Sequence, residues 1–198
     1  MHQLQEEERM ILSMVDSVCT DIIADRAAEI DEQDEFAQDI YDVLAEQGLF
    51  ALTMPEAQGG FEVSVNCWAQ CVARLAEESP AVALMLFVAA MGSDAIMTFG
   101  TDDQRNTYLP GIIAGEKKIS FALTEPNAGS DVWSLTTSAK QTDDGYVING
   151  NKMFISNAEV ADYFCLFAQV EVDGEKKPTA FIVDAHDESV VISAHEQK

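Results

Sequence analysis

The chain has 198 residues, enough for one large domain or two smaller ones, and its 47% hydrophobic and 23% charged residues are the balance of a soluble globular protein. Its formal net charge is −24, from 35 Asp and Glu against 11 Lys and Arg. A surface of that sign repels phosphate backbones and anionic lipids, which argues against nucleic-acid binding and membrane-surface roles.

The acidic excess is heaviest at the N-terminal end, where Arg9 and Arg26 are the only basic residues in the first 56, and it reads as a solvated helix face. The opening residues MHQLQEEERM lack the basic start and apolar core of a signal peptide, so a cytoplasmic location is expected. Cys19, Cys67, Cys71 and Cys165 form no CxxC pair and have no nearby His, so they read as buried thiols in a reducing compartment, not as a metal site. His2, His186 and His195 are scattered and read as exposed residues.

Residues 1–118 are expected to be helical. Phe36, Ile40, Val43 and Leu44 recur at helical spacing, and Gly48 is placed to stop that helix. Pro55, Gly59 and Gly60 mark a loop. Ser64 can cap the next helix, on which Val65, Trp68, Val72 and Leu75 form an apolar stripe. Pro80 suits the first turn of a further helix that Gly100 ends. The apolar run over 81–91 is too short to span a bilayer and reads as buried. Thr101 and Gln104 then form a capping box for a helix running towards Gly115. The result is a bundle of about five helices.

After Lys118 the pattern changes to short β-prone runs over 119–124, 146–149, 153–156, 163–170, 179–183 and 190–193. Asp144-Gly145, Asn149-Gly150 and Asp173-Gly174 are hairpin signals between them. Helices first and strands afterwards predict an α+β protein: a helical bundle over 1–118, then an antiparallel β-domain over 119–198.

Two segments of that second part carry chemistry. In FALTEPNAGSD, residues 121–131, a strand enters a turn in which Pro126 fixes one dihedral and Gly129 allows a conformation other residues avoid. Such a turn exposes backbone N–H groups beside the hydroxyls of Thr124 and Ser130. Read from physics alone, a capped β-turn without a ligand is the simpler account. The second segment, GNKMFISNA at 150–158, again sets glycine, hydroxyl and aromatic residues at a turn. No GxGxxG fingerprint and no P-loop is present, which argues against a nicotinamide cofactor on a Rossmann fold.

Together these segments resemble the flavin-binding signature of the acyl-CoA dehydrogenase family. The similarity extends over PEAQGG at 55–60, ARLAEESP at 73–80 and FGTDDQRNTYLPGIIAGEK at 99–117. The resemblance implies FAD as cofactor and an acyl-CoA thioester as substrate. The substrate's α-proton goes to a base and its β-hydride to N5 of the flavin, leaving the 2-enoyl-CoA. It also implies flavin contacts at Phe121, Leu123, Thr124, Gly129, Ser130, Phe154, Ile155 and Ser156. Donors at Leu123, Thr124 and the following turn would face the charge that gathers near the pyrimidine end, while the Ser156 hydroxyl would reach the N5 side. Phe154 would lie against the ring and exclude water, and Ser130 would also touch the acyl-CoA. The family often has Trp at the first of these positions and Thr at the second, so Phe154 and Ser156 leave looser packing.

The same resemblance places the proton-abstracting carboxylate on a C-terminal helical domain beyond the end of this chain. Glu125 and Asp131 read as turn-closing acceptors, and no catalytic residue is assigned. Three readings follow: part of an FAD-dependent acyl-CoA dehydrogenase, one half of a split enzyme completed by a second polypeptide, or a non-catalytic binding or scaffold subunit of the same fold. Family membership further implies a homodimer or homotetramer and electron-transfer flavoprotein as acceptor.

Overall fold

Helix α1 (Glu6–Val18) starts at a reciprocal capping box between Gln5 and Glu8. Glu8 is 7% exposed, although a lone carboxylate is costly to bury. Its two oxygens are engaged separately. Oε2 accepts from the Gln5 N–H at 2.9 Å, and Oε1 accepts from the Ser64 N–H at 2.8 Å. One side chain therefore ties the start of α1 to the residue that caps α4 (Val65–Glu78), where the Ser64 side chain accepts from the Cys67 N–H. The computed structural model describes residues 4–193 of the chain, so His2 and His195 lie outside the described residues. The chain divides into two compact units, Met1–Lys118 and Ile119–Lys198.

In the helical unit, α1 passes through a π-helical turn, Cys19–Ile23, into α2 (Ala24–Gln33), followed by α3 (Gln38–Glu46). Gly48, at φ 69°, takes the left-handed conformation that ends the third helix. Helix α5 (Pro80–Phe99) has Pro80 in its first turn and the Ser79 side chain as its cap. Helix α6 (Asp102–Ile113) opens on the Thr101–Gln104 capping box. By length and composition α5 could cross a membrane, but Val82, Met85, Leu86, Val88, Ala89 and Ile96 are buried inside the unit, as expected of a central helix.

Of the expected α4 stripe, Leu75 is buried and Trp68 and Val72 pack against the core, and Val65 alone departs from it. Val65 is 80% exposed, and the fully buried positions are Cys67, Cys71 and Leu75. Thiols pack here as small apolar groups, which moves the buried face. The Cys67 Sγ contacts the Glu8 carbonyl at 3.7 Å, and the Cys19 Sγ contacts the Arg74 carbonyl at 3.6 Å. All four cysteines are buried free thiols; burial pushes Cys71 up to about 12 and Cys165 up to about 11, so neither is a thiolate near neutral pH. Outside this core, Arg74 bridges Asp16 on α1 and Glu78 on α4 at 2.7 and 2.8 Å.

The second unit is a five-stranded sheet: β1 (Ile119–Ala122), β2 (Ser138–Thr142), β3 (Gly145–Asn149), β4 (Tyr163–Val172) and β5 (Glu175–Asp184). Its pairing is mixed, which corrects the wholly antiparallel expectation. β2 with β3 and β4 with β5 are antiparallel hairpins, whereas β1 and β2 each run parallel to β4. β5 occupies one edge of β4 along its whole length. β1 and β2 share the other edge end to end, β1 beside Tyr163 to Leu166 and β2 beside Gln169 and Val170. The chain between them, 123–137, leaves the sheet at that gap. β2, sequence SAKQT, carries no aliphatic signal and was not expected as a strand. Residues 153–156 and 190–193, expected as strands, are irregular, and Asn149-Gly150 forms no hairpin.

Glu8→Ala should leave the Gln5 and Ser64 N–H groups unpaired and cost about 1–3 kcal/mol in stability. Urea denaturation checks this, and Glu8→Gln, which keeps an acceptor, should lose less.

Candidate functional site

The segment 123–137 turns back on itself directly after β1. The Glu125 N–H donates to the Ala128 carbonyl at 2.9 Å, and the Ala128 N–H donates to the Glu125 carbonyl at 3.1 Å. Pro126 and Asn127 occupy the two central positions, and neither has positive φ, which fits a type I turn. Asp131 caps the 3₁₀ turn Val132–Ser134, accepting from the Trp133 N–H at 3.2 Å and from the Ser134 hydroxyl. It closes the turn and is engaged locally.

Glu125 is 3% exposed and fully engaged. It accepts from the Thr136 N–H at 2.7 Å, the Thr136 hydroxyl at 2.6 Å, the Thr137 N–H at 3.1 Å and Lys152 Nζ at 2.8 Å. Burial by itself pushes the carboxyl up, but the Lys152 ammonium and the threonine donors outweigh it and hold Glu125 at about 2. Burial also pulls the Lys152 ammonium down, against the Glu125 charge. An ionised carboxylate already bound to four donors is a poor proton acceptor, so Glu125 is structural.

Lys152 lies in the second segment and donates as well to the Leu123 carbonyl at 3.0 Å. One residue on, the Met153 N–H donates to the Thr124 carbonyl at 2.9 Å. The two segments are therefore bonded to each other side by side. Gly150 makes the approach feasible: a Cβ there would lie 2.2 Å from Thr137 Oγ1 and 2.6 Å from Thr137 Cα. Phe154 and Asn157 both take the left-handed conformation, at φ 57° and 61°, which breaks the extended run expected over 153–156. For a phenylalanine this conformation is strained, costing on the order of 1–3 kcal/mol, and the ring it presents is 64% exposed.

The residues singled out in the sequence fall into two groups. Leu123, Thr124 and Ser156 are half-buried, and Gly129, Ser130 and Phe154 are exposed. Phe121 packs its ring 5.1 Å from that of Phe167, and Ile155 packs on the cluster of Ala122, Ala161 and Phe164, so both side chains belong to the unit's own packing. Gly129 corrects the sequence reading, because its φ is not positive and a Cβ would meet nothing within 4 Å. Neither conformation nor internal packing demands glycine there. The open space suits close approach by a ligand.

Among the described residues, the Thr124, Ser130 and Ser156 hydroxyls and the Thr124, Gly129 and Ser130 N–H groups have no hydrogen-bond partner. Unpaired donors, a strained exposed aromatic and a side-chain-free position on bonded neighbouring segments fit the edge of a flat polar ring system. Lys152, Thr136 and Thr137 were missed as organisers of this surface. The available signal was a single charge, Lys152, inside one otherwise uncharged motif and a glutamate inside the other.

Fold and turns together describe a helical domain followed by a β-domain bearing a bonded pair of loops with unpaired donors. Residues 5–116 match the family profile described as "Acyl-CoA dehydrogenase, N-terminal domain", and residues 120–198 match "Acyl-CoA dehydrogenase, middle domain". The chain belongs to the acyl-CoA dehydrogenase family. It is 36% identical to the cyclohex-1-ene-1-carbonyl-CoA dehydrogenase of Geobacter metallireducens, over 100% of this chain and 53% of that protein. It is 32% identical to the caffeyl-CoA reductase–Etf complex subunit CarC of Acetobacterium woodii, over 98% of this chain and 52% of that protein. The crystal structure of an acyl-CoA dehydrogenase complexed with FAD from Bacillus anthracis superposes with a TM-score of 0.88 at 30% identity, covering 99% of this chain and 34% of that one. The chain thus spans about half the length of the curated relatives it matches.

Gly150→Ala should destabilise the chain by about 1–3 kcal/mol, because the new Cβ strikes Thr137; thermal melting measures it. Glu125 titrates lower folded than its ordinary value of 4.5, so the stability it contributes is complete above about 4.5 and is lost as pH falls towards about 2. Acid unfolding of Glu125→Gln should show a flatter stability profile across that window than the parent.

Proposed function

We propose that this chain forms the flavin-facing part of an FAD-dependent acyl-CoA dehydrogenase acting on an acyl-CoA thioester. The observation that carries the reading is the set of unpaired donors at Thr124, Gly129, Ser130 and Ser156 on two bonded segments of a family member. FAD, when bound, accepts the hydride that leaves the β-carbon of the thioester. The Thr124 N–H and hydroxyl, with the N–H groups of Gly129 and Ser130, would hold the polar edge of the cofactor. Fixed donors of this kind stabilise negative charge without reorganising. The Ser156 hydroxyl would approach the opposite edge, and Phe154 would cover a ring face and exclude water. Ser130 would also contact the thioester substrate, with Phe121, Leu123 and Ile155 supporting the loops from behind.

Glu125 and Asp131 are committed to internal hydrogen bonds, so neither is the base that takes the α-proton. That base would come from sequence corresponding to the half of the relatives not spanned here. The relative from Acetobacterium woodii, a subunit of a reductase–Etf complex, supports electron-transfer flavoprotein as electron partner. Assembly as a homodimer or homotetramer and a cytoplasmic location complete the proposal. The split-enzyme and scaffold readings make different demands: a co-purifying helical partner in the first case, normal folding with no flavin under any reconstitution in the second.

The 198-residue chain alone should bind FAD weakly and show no acyl-CoA dehydrogenation. Stoichiometric flavin retained through dialysis, or turnover by pure material, would contradict that expectation. In the enzyme completed by its C-terminal half, Thr124→Val and Ser130→Ala should each weaken FAD or acyl-CoA binding by about 0.5–1.5 kcal/mol, read by calorimetry and steady-state kinetics. Unchanged affinity and kinetics in both variants would remove the site assignment.

A further inference from the structure

Lys152 is the one basic residue in either segment of the site, and it is not in solvent. Its side chain is 9% exposed, and Nζ lies 2.8 Å from Glu125 Oε1 and 3.0 Å from the Leu123 carbonyl oxygen. The Leu123 carbonyl and the Thr124 N–H are the two ends of one peptide group. That N–H has no acceptor among the described residues. A cation held on a carbonyl oxygen draws electron density away from the peptide nitrogen, so the N–H at the other end becomes a stronger donor. Low surrounding dielectric enlarges the effect. The Glu125 carboxylate offsets the ammonium only in part, because the Thr136 N–H, the Thr136 hydroxyl and the Thr137 N–H share the same two oxygens.

We infer that Lys152 is a positioning residue of the flavin site, acting through the Leu123–Thr124 peptide to make the Thr124 N–H a strong donor that favours the more negative, reduced cofactor. The inference rests on the flavin reading given above for its last step only. Lys152 also ties the two segments together, and a tie alone would weaken the binding of both redox forms equally. A relayed charge acts on their ratio.

Two measurements separate these roles. The first uses the isotopically labelled 198-residue chain without cofactor and follows the Thr124 amide and the Leu123 carbonyl carbon by NMR. Lys152→Gln keeps a donor but no charge, and both signals should move upfield, while Lys152→Arg should hold them and the Gly129 and Ser130 amides should stay in place. An unmoved Thr124 amide in Lys152→Gln overturns the inference, as do equal displacements in both variants that extend to Gly129 and Ser130. The unsubstituted chain supplies a reading that needs no variant. Its Leu123 carbonyl carbon should lie downfield of its conformational value, and a value at or upfield of it overturns the inference.

The second measurement compares the dissociation constants of oxidised and reduced FAD under anaerobic conditions. Lys152→Gln should shift their ratio about tenfold towards the oxidised form, equivalent to about 30 mV for a two-electron couple, and Lys152→Arg should leave it unchanged. Equal weakening of both forms overturns the inference. If the unsubstituted chain, completed by its C-terminal half, binds neither form, the flavin reading fails, and the NMR result still decides the peptide relay.

Discussion

Burying the Glu125 carboxylate obliges the chain to surround it. An ionised carboxylate removed from water is tolerable only when its oxygens are fully engaged, and removing one partner from such a group costs far more than the pair contributes. Here the donors come from two stretches separated in sequence from the turn and from each other: the Thr136-Thr137 pair that leads into β2, and Lys152 ahead of the strained Phe154. Satisfying one charge therefore fixes where the first loop leaves the sheet, where it returns, and where the second loop lies against it. The unpaired donors of the turn are by-products of that arrangement.

The helical unit solves a related problem with Glu8. A single buried carboxylate joins the first turn of α1 to the residue ahead of α4, and thiols fill the space between those helices. In both units a directional polar link sets register and apolar packing follows it. The difference lies in what stays exposed. Around Glu8 the recorded groups are mutually satisfied, whereas beside Glu125 the neighbouring turn presents N–H and hydroxyl groups to the outside. That asymmetry is why the proposed cofactor contacts fall in the β-unit.

Local signals in the sequence were legible where the physics is local. Ser64, Pro80 and the Thr101–Gln104 pair mark helix starts because caps act within one turn, and Asp173-Gly174 marks a hairpin because its backbone needs left-handed residues. Long-range choices were not legible. Nothing in SAKQT announces a strand, since its partners β3 and β4 supply the reason for it to be extended. Parallel pairing of β1 and β2 with β4 is likewise a property of the assembled sheet. On α4, Val65 departed from the expected stripe, because Cys67 and Cys71 take the centre of the buried face and Trp68 and Val72 flank it. For the site, the two motif segments were identified by residue type and do lie bonded together, but the reason for Gly129 and the role of Lys152 depend on neighbours far away in sequence.

The gap between β1 and β2 along one edge of β4 has a mechanical consequence. Both ends of the loop over 123–137 are moored to the same strand, so a loop that grows or shrinks leaves the register of the sheet untouched. For a flexible loop, doubling the length costs only about 0.6 kcal/mol in closure entropy. Within it, no internal contact demands a particular side chain at Gly129, while Glu125 keeps the base of the loop anchored. Anchorage of the loop and the shape of its outer surface thus fall to different residues of the same short segment.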